Sequence, residues 1–187
     1  MANNVLTKTA IANCMKDLME NHPFNKISVS DICRDCNINR KTFYYHFSDK
    51  YELLIWIFET DIISPTIETY STFDNFEAAG ALVTYLYHNK TFYRKAFELS
   101  GPNSLRDYLA KALKPTIEKV FGDDVDYDIL PISDAFSDFI VSALLRWLSH
   151  YPVATPDAFM DQLISAGTVL SIKLSSILHF PIDRNLI

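Results

Sequence analysis

Ser28-Val29-Ser30-Asp31-Ile32-Cys33-Arg34-Asp35-Cys36-Asn37-Ile38-Asn39-Arg40-Lys41-Thr42-Phe43-Tyr44-Tyr45-His46-Phe47 reads as two short helices joined by a tight turn. Ser28 followed three residues later by Asp31 is a capping box, in which the hydroxyl takes the Asp31 amide and the carboxylate reaches back. Ile32, Cys33 and Cys36 form the buried side of the first helix. Asn37 stands where a helix commonly ends in a left-handed residue, and asparagine is the best non-glycine choice there. Ile38 fills the turn, and Asn39 caps a second helix over residues 40–46. Two helices at this spacing make a helix-turn-helix.

Upstream, Leu6, Ala10, Ile11, Cys14 and Leu18 recur at helical spacing and predict a helix over residues 5–21 with one apolar stripe. His22-Pro23 ends it, because the residue before proline is pushed out of the α region. Phe24 and Ile27 then act as core plugs. Downstream, Ser48-Asp49-Lys50 opens a long aromatic and aliphatic helix over residues 51–72. Further helices are expected over 75–88, 90–99, 103–121, 129–150 and 156–179. The last two carry wide apolar faces: Phe136, Phe139, Ile140, Ala143, Leu144, Trp147 and Leu148 on one, Phe159, Leu163, Ala166, Leu170, Leu174 and Ile177 on the other. Pro152 and Pro156 bracket the turn between them, with Thr155 as cap and Pro156 at the first helical position. The chain is therefore expected to be all-α, with about nine helices.

Composition narrows the function. Only four glycines occur, Gly80, Gly101, Gly122 and Gly167, and no two lie close enough for a phosphate-cradling loop. Three cysteines, an odd number, do not make a disulfide framework. Cys33-Arg34-Asp35-Cys36 has redox or metal-ligand spacing but no second pair, so buried thiols are expected there. The five histidines show no metal-binding spacing, and no cofactor or catalytic constellation stands out. No apolar run reaches transmembrane length and the first residues lack a signal-peptide core, so the expectation is a cytoplasmic protein. The net charge of −6 is unevenly spread. Through Leu54 there are 7 Lys/Arg against 6 Asp/Glu, whereas the remainder carries 10 against 17. The acidic excess thus lies outside the helix-turn-helix.

Residues 27–54 resemble the DNA-binding domain of the TetR family, most of all in Thr42-Phe43-Tyr44-Tyr45-His46-Phe47 followed by Lys50 and Leu53-Leu54. The resemblance covers residues 7–54, a little over a quarter of the chain. The version from Asn39 to Phe47 is most similar to regulators of dihydroxyacetone-kinase operons. The resemblance implies a DNA-binding domain over residues 1–48, an all-helical effector-binding and dimerisation domain over 49–187, and a transcriptional regulator rather than an enzyme. Asn37 and Lys41 stand where the family often has glycine. Asn37 preserves the turn, while Lys41 adds charge at the DNA-facing end and suggests a different operator sequence.

A helix entering the major groove reads bases with its first turn and exposed face, which here means Arg40, Lys41 and Tyr45. Arginine and lysine match guanine acceptors, and a tyrosine edge packs on a thymine methyl. By resemblance, Thr42, Tyr44, His46 and Lys50 hold phosphates, and Ser28 and Ser30 offer hydroxyls at a positive helix end. Bland alternatives exist: Arg40 and Lys41 also suit a solvated helix start, and His46 a structural role. Tyr44 and Tyr45 are adjacent on a helix and cannot share one face. Phe43 and Phe47 should point inward.

In the remaining two-thirds, aromatic residues are frequent, which a helical core also requires; the resemblance implies an effector pocket within these helices, with Tyr85, Phe92, Phe97 and Tyr108 as its candidate lining. Phe139, Ala143, Trp147, Phe159, Leu163 and Leu170 are the expected anchors of a homodimer built on the last two helices. Double-stranded operator DNA, a second copy and a small-molecule effector are thus the expected partners, with no membrane. A rival reading keeps the fold but makes a protein co-regulator the main partner.

Overall fold

The helix-turn-helix forms where local chemistry demands it. In the computed structural model, which describes residues 2–70, 76–99, 103–121, 130–150 and 154–178, ten α-helices follow one another and no strand occurs among the described residues. They are α1 (Ala2–Asn21), α2 (Val29–Asp35), α3 (Arg40–His46), α4 (Lys50–Phe58), α5 (Ser64–Tyr70), α6 (Phe76–His88), α7 (Lys90–Phe97), α8 (Leu105–Phe121), α9 (Leu130–Ser149) and α10 (Pro156–Leu178). None is long and apolar enough to cross a membrane.

α2 starts with the expected capping box, both halves of which are made by Ser28 and Asp31. It ends at Cys36 in a Schellman turn: the amide of Asn37 donates to Arg34 O (3.2 Å) and that of Ile38 to Cys33 O (2.9 Å). Asn37 has φ 52°, the left-handed value expected of it. Asn39 then caps α3, its Oδ1 accepting from the Thr42 amide at 2.8 Å. Phe43 and Phe47 are buried side by side, ring centroids 5.9 Å apart.

α1 lies across these two helices, but its buried stripe differs from the expected one. Ile11, Ala12, Met15, Leu18 and Met19 are buried, whereas Leu6 is 68% exposed. Ile11 and Leu18 are buried as expected, and Met15 and Met19, flexible enough to fill irregular space, complete the inner face in place of Leu6 and Ala10. Cys14 is half-buried and joined by a disulfide to Cys36, so Cys33 alone is the buried free thiol. The expectation of a buried free thiol thus holds at Cys33 and is corrected at Cys36, which the crossing of α1 and α2 brings to Cys14.

α4 and α5 are one continuous rod interrupted by a π turn, Glu59–Ile63, that the sequence pattern does not reveal. The extra residue re-aims two carboxylates. Glu59 Oε1 accepts from the Tyr108 hydroxyl on α8 (2.8 Å), and Asp61 pairs with Lys16 on α1 (2.6 Å). Phe58, Tyr93, Phe97 and Tyr108 pack edge to face around the rod. α8 packs along α9, and α10 returns over α6. Four ends of the expected segments, Thr72, Asn75, Ile129 and His179, lie outside the described residues, as does the turn residue Pro152.

A side chain with a Cβ pays a steric cost in the left-handed region that glycine escapes. Asn37→Val is expected to destabilise the fold by about 1–2 kcal/mol, and Asn37→Gly to change it little. Urea denaturation checks this; equal stability of the two variants would contradict the role given to the turn.

Candidate nucleic-acid interface

With Phe43 buried, α3 turns its opposite side outward. Tyr44 and Tyr45 are 55% and 78% exposed, so both leave the core. Lys41 is exposed, and so is Arg40, whose guanidinium folds back to donate to Ser30 Oγ on α2. Ser30 therefore orients the arginine. Thr42 is half-buried, and its hydroxyl donates to Asn39 Oδ1 (3.1 Å), which fixes the first turn of α3. The exposed surface thus carries two cations, two phenols and the two hydroxyls at the start of α2, where helix N-termini favour anions.

The remaining expected contacts have more internal positions. Lys50 Nζ donates to Phe24 O (2.9 Å) and Ile27 O (2.7 Å) and lies over the Phe24 ring. Two of its three protons thus tie the start of α4 to the loop before α2, and desolvation lowers its pKa. His46 is half-buried with its ring edge against Tyr45. Its Nδ1 is buried without a hydrogen-bond partner. Ser28 is exposed and donates to Asp31 Oδ2 at 2.6 Å. That hydroxyl and the Ser28 amide hold the Asp31 carboxyl down at about 2.

In the larger half, the aromatic residues expected to line a pocket are divided. Tyr85 and Phe92 line a polar cleft of about 670 Å³ between α1 and the α6–α7 corner, together with Lys16, Asp61 and Tyr93. Burial there, followed by the charge of Asp61, pushes Tyr85 up to about 12 and raises Tyr93. Phe97 is buried in the core, and Tyr108 is tied to Glu59. A separate cavity of about 330 Å³ is lined mostly by aliphatic side chains, among them Leu82, Leu109, Leu113, Ile140 and Leu144, with Phe76 and Phe159 beside them. Sequence reasoning missed it by looking for aromatics.

The expected dimer anchors also divide. Phe139 and Leu170 are each 58% exposed, and Ile164, Val169 and Ile172 join them as exposed apolar side chains. Ala143 is half-buried. Trp147 and Phe159 stack on each other within one protomer at 4.6 Å, and Trp147 Nε1 donates to Ala154 O. Both are buried, so they hold α9 to α10 instead of projecting from the surface. Leu163 lines the aliphatic cavity.

Two family models match the chain. One, described as bacterial regulatory proteins of the tetR family, matches residues 16–56; the other, a transcriptional regulator C-terminal region, matches residues 75–166. The HTH-type dhaKLM operon transcriptional activator DhaS of Lactococcus lactis subsp. lactis (strain IL1403) is 37% identical over 97 residues, 52% of either chain. The match therefore spans about half the length of that curated relative. A solved structure of the dihydroxyacetone kinase operon activator DhaS has a TM-score of 0.59 at 26% identity, covering 91% of this chain and 98% of that one. A TetR transcriptional regulator from Streptococcus agalactiae 2603V, at 21% identity, shares the fold with a TM-score of 0.66 over 88% and 95%. These relatives are described as regulators, not enzymes.

The depressed Asp31 pKa has a definite sign. A carboxyl held below its unfolded value contributes stability above that value and loses it as pH falls through the folded one. Asp31→Asn is therefore expected to cost stability at pH 5–7, with the gap from wild type closing between about 4 and about 2. Thermal melts across that range check it; a gap independent of pH would contradict the capping box.

Proposed function

We propose that this chain, a member of the TetR family of bacterial regulatory proteins, is a DNA-binding transcriptional regulator that binds a palindromic operator as a homodimer under the control of a small effector. In this reading residues 1–48 contact DNA and residues 49–187 sense and dimerise. The observation that carries it is the exposed face of α3, where Arg40, Lys41 and Tyr45 stand clear of the core. Arg40 and Lys41 offer donors to guanine edges in the major groove, and Tyr45 an apolar edge to thymine. Ser28, Ser30, Thr42, Tyr44, His46 and the remaining proton of Lys50 sit around this face and serve phosphates, which fix register.

The dimer reading rests on Phe139, Leu170 and the exposed apolar side chains near them. Apolar groups concentrated on two neighbouring helices favour association with a second copy in a four-helix bundle. Two-fold symmetry then pairs two α3 helices with two half-sites. The aliphatic cavity lies next to this face, since α9 and α10 line it, and its size suits a small apolar molecule. An effector there would act by favouring one arrangement of α10, and so one spacing of the reading heads. The cytoplasm is where such a regulator meets its operator.

Selection of bound fragments from genomic DNA, repeated at two salt concentrations, tests the reading. The expected result is a palindromic consensus with affinity falling steeply as salt rises; a folded protein that enriches no sequence would overturn it. Arg40→Ala should weaken operator binding by about 1–3 kcal/mol and relax preference at one base position, read by competition binding. Leu170→Glu should convert the dimer to monomer in sedimentation velocity; an unchanged dimer would move the interface elsewhere.

A further inference from the structure

Cys14 and Cys36 occupy an unusual position for sulfur in a DNA-reading head. They are bonded across 22 residues of sequence, and their Cα atoms are 5.8 Å apart, a separation that a disulfide spans without backbone movement. Both are half-buried, within reach of a small oxidant. Cys36 is the C-cap of α2, immediately before the left-handed turn at Asn37 that sets α3. Cys14 lies two residues before Lys16, through which Asp61 holds α1 from the regulatory side. The bond therefore joins the helix gripped by the larger half to the turn that aims the reading helix.

The reduced state is provided for as well. The Cys36 sulfur lies 3.8 Å from Ala10 O, an acceptor for its thiol hydrogen. Cys33 differs from both: it is 5% exposed, and burial raises its pKa, which keeps it protonated and poorly nucleophilic. The sequence spacing Cys33–Cys36 suggests one pair; the fold chooses another.

We propose that Cys14 and Cys36 form a reversible oxidative-modification site, responsive to hydroperoxides, that stiffens the reading head and tightens operator binding. One thiolate of the pair attacks a peroxide oxygen, the O–O bond breaks, and a sulfenic acid and one water result. The second thiolate attacks that sulfur, the S–O bond breaks, and a second water leaves as the disulfide forms. Two thiols and one hydrogen peroxide thus give one disulfide and two waters, the sulfurs losing two electrons and the peroxide gaining them. A dithiol reductant reverses the change by exchange. The linked head has less ordering left to do on docking, and such preorganisation strengthens binding. In a reducing compartment, a pair so placed is a transient sensor and not a permanent staple. The affinity part rests on the DNA-binding reading; the chemistry does not.

The full chain, reduced and then treated with hydrogen peroxide, would be alkylated after denaturation and mapped by mass spectrometry. The expected map links Cys14 to Cys36 and leaves Cys33 alkylated. The linked form should bind the selected operator three- to tenfold more tightly than the reduced form, a difference lost in Cys14→Ser and kept in Cys33→Ser. Comparison of the two wild-type states keeps the test valid even if a variant misfolds. A link through Cys33, no link at all, or equal or weaker binding of the linked form would overturn the proposal. If neither form binds any duplex, the DNA-binding reading fails, and the peptide map still decides the redox pair.

Discussion

Burial of Phe43 and Phe47 governs what the reading head can show to a ligand. α3 has only seven residues, and on a helix that short one buried ring fixes the rotation of the rest. Once Phe43 faces inward, Arg40, Lys41, Tyr44 and Tyr45 are left outside. The cap at Asn39 and the turn at Asn37 fix where that face begins. The capping box of Ser28 and Asp31 in turn fixes α2, and Ser30 on α2 orients Arg40. Cation placement at the candidate interface is thus the end of a chain of local hydrogen bonds and one packing decision.

The larger half holds this head through α1. Lys95 on α7 donates to Met19 O and Glu20 O, both at 2.7 Å, satisfying carbonyls that a helix C-terminus leaves without partners. Lys16 and Asp61 add an ion pair on the same helix. A shift of α7 or of the π turn would thus be felt at α1, and α1 packs on both helices of the reading head. The polar cleft at this junction and the aliphatic cavity between α6, α8, α9 and α10 are distinct spaces. Only the second has the apolar lining that rewards an apolar ligand.

Legibility in the sequence followed the range of the forces involved. Caps and turns act over three or four residues, so Ser28-Asp31, Asn37, Asn39 and Thr155-Pro156 could all be read directly. Helix ends came out within a few residues for the same reason. Long-range choices were not readable. Leu6 and Met15 fit an apolar stripe equally well by type, and only packing against α2 to α4 selects Met15. The stacking of Trp147 on Phe159 within one protomer was not readable either, because periodicity does not say which two helices meet. The π turn leaves no local mark, and the Cys14–Cys36 bond joins residues whose proximity is set by the crossing of α1 and α2. Lys50 combines both cases: its position follows the family pattern, while its bonds to Phe24 and Ile27 depend on the fold.

Hydrogen–deuterium exchange of the full chain, with and without a selected operator duplex, tests the central claim most directly. If the face of α3 reads DNA, protection should concentrate in residues 28–31 and 39–46, with little change on the exposed faces of α9 and α10. Protection confined to α9, α10 or the junction cleft, with 39–46 unaltered, would contradict the account.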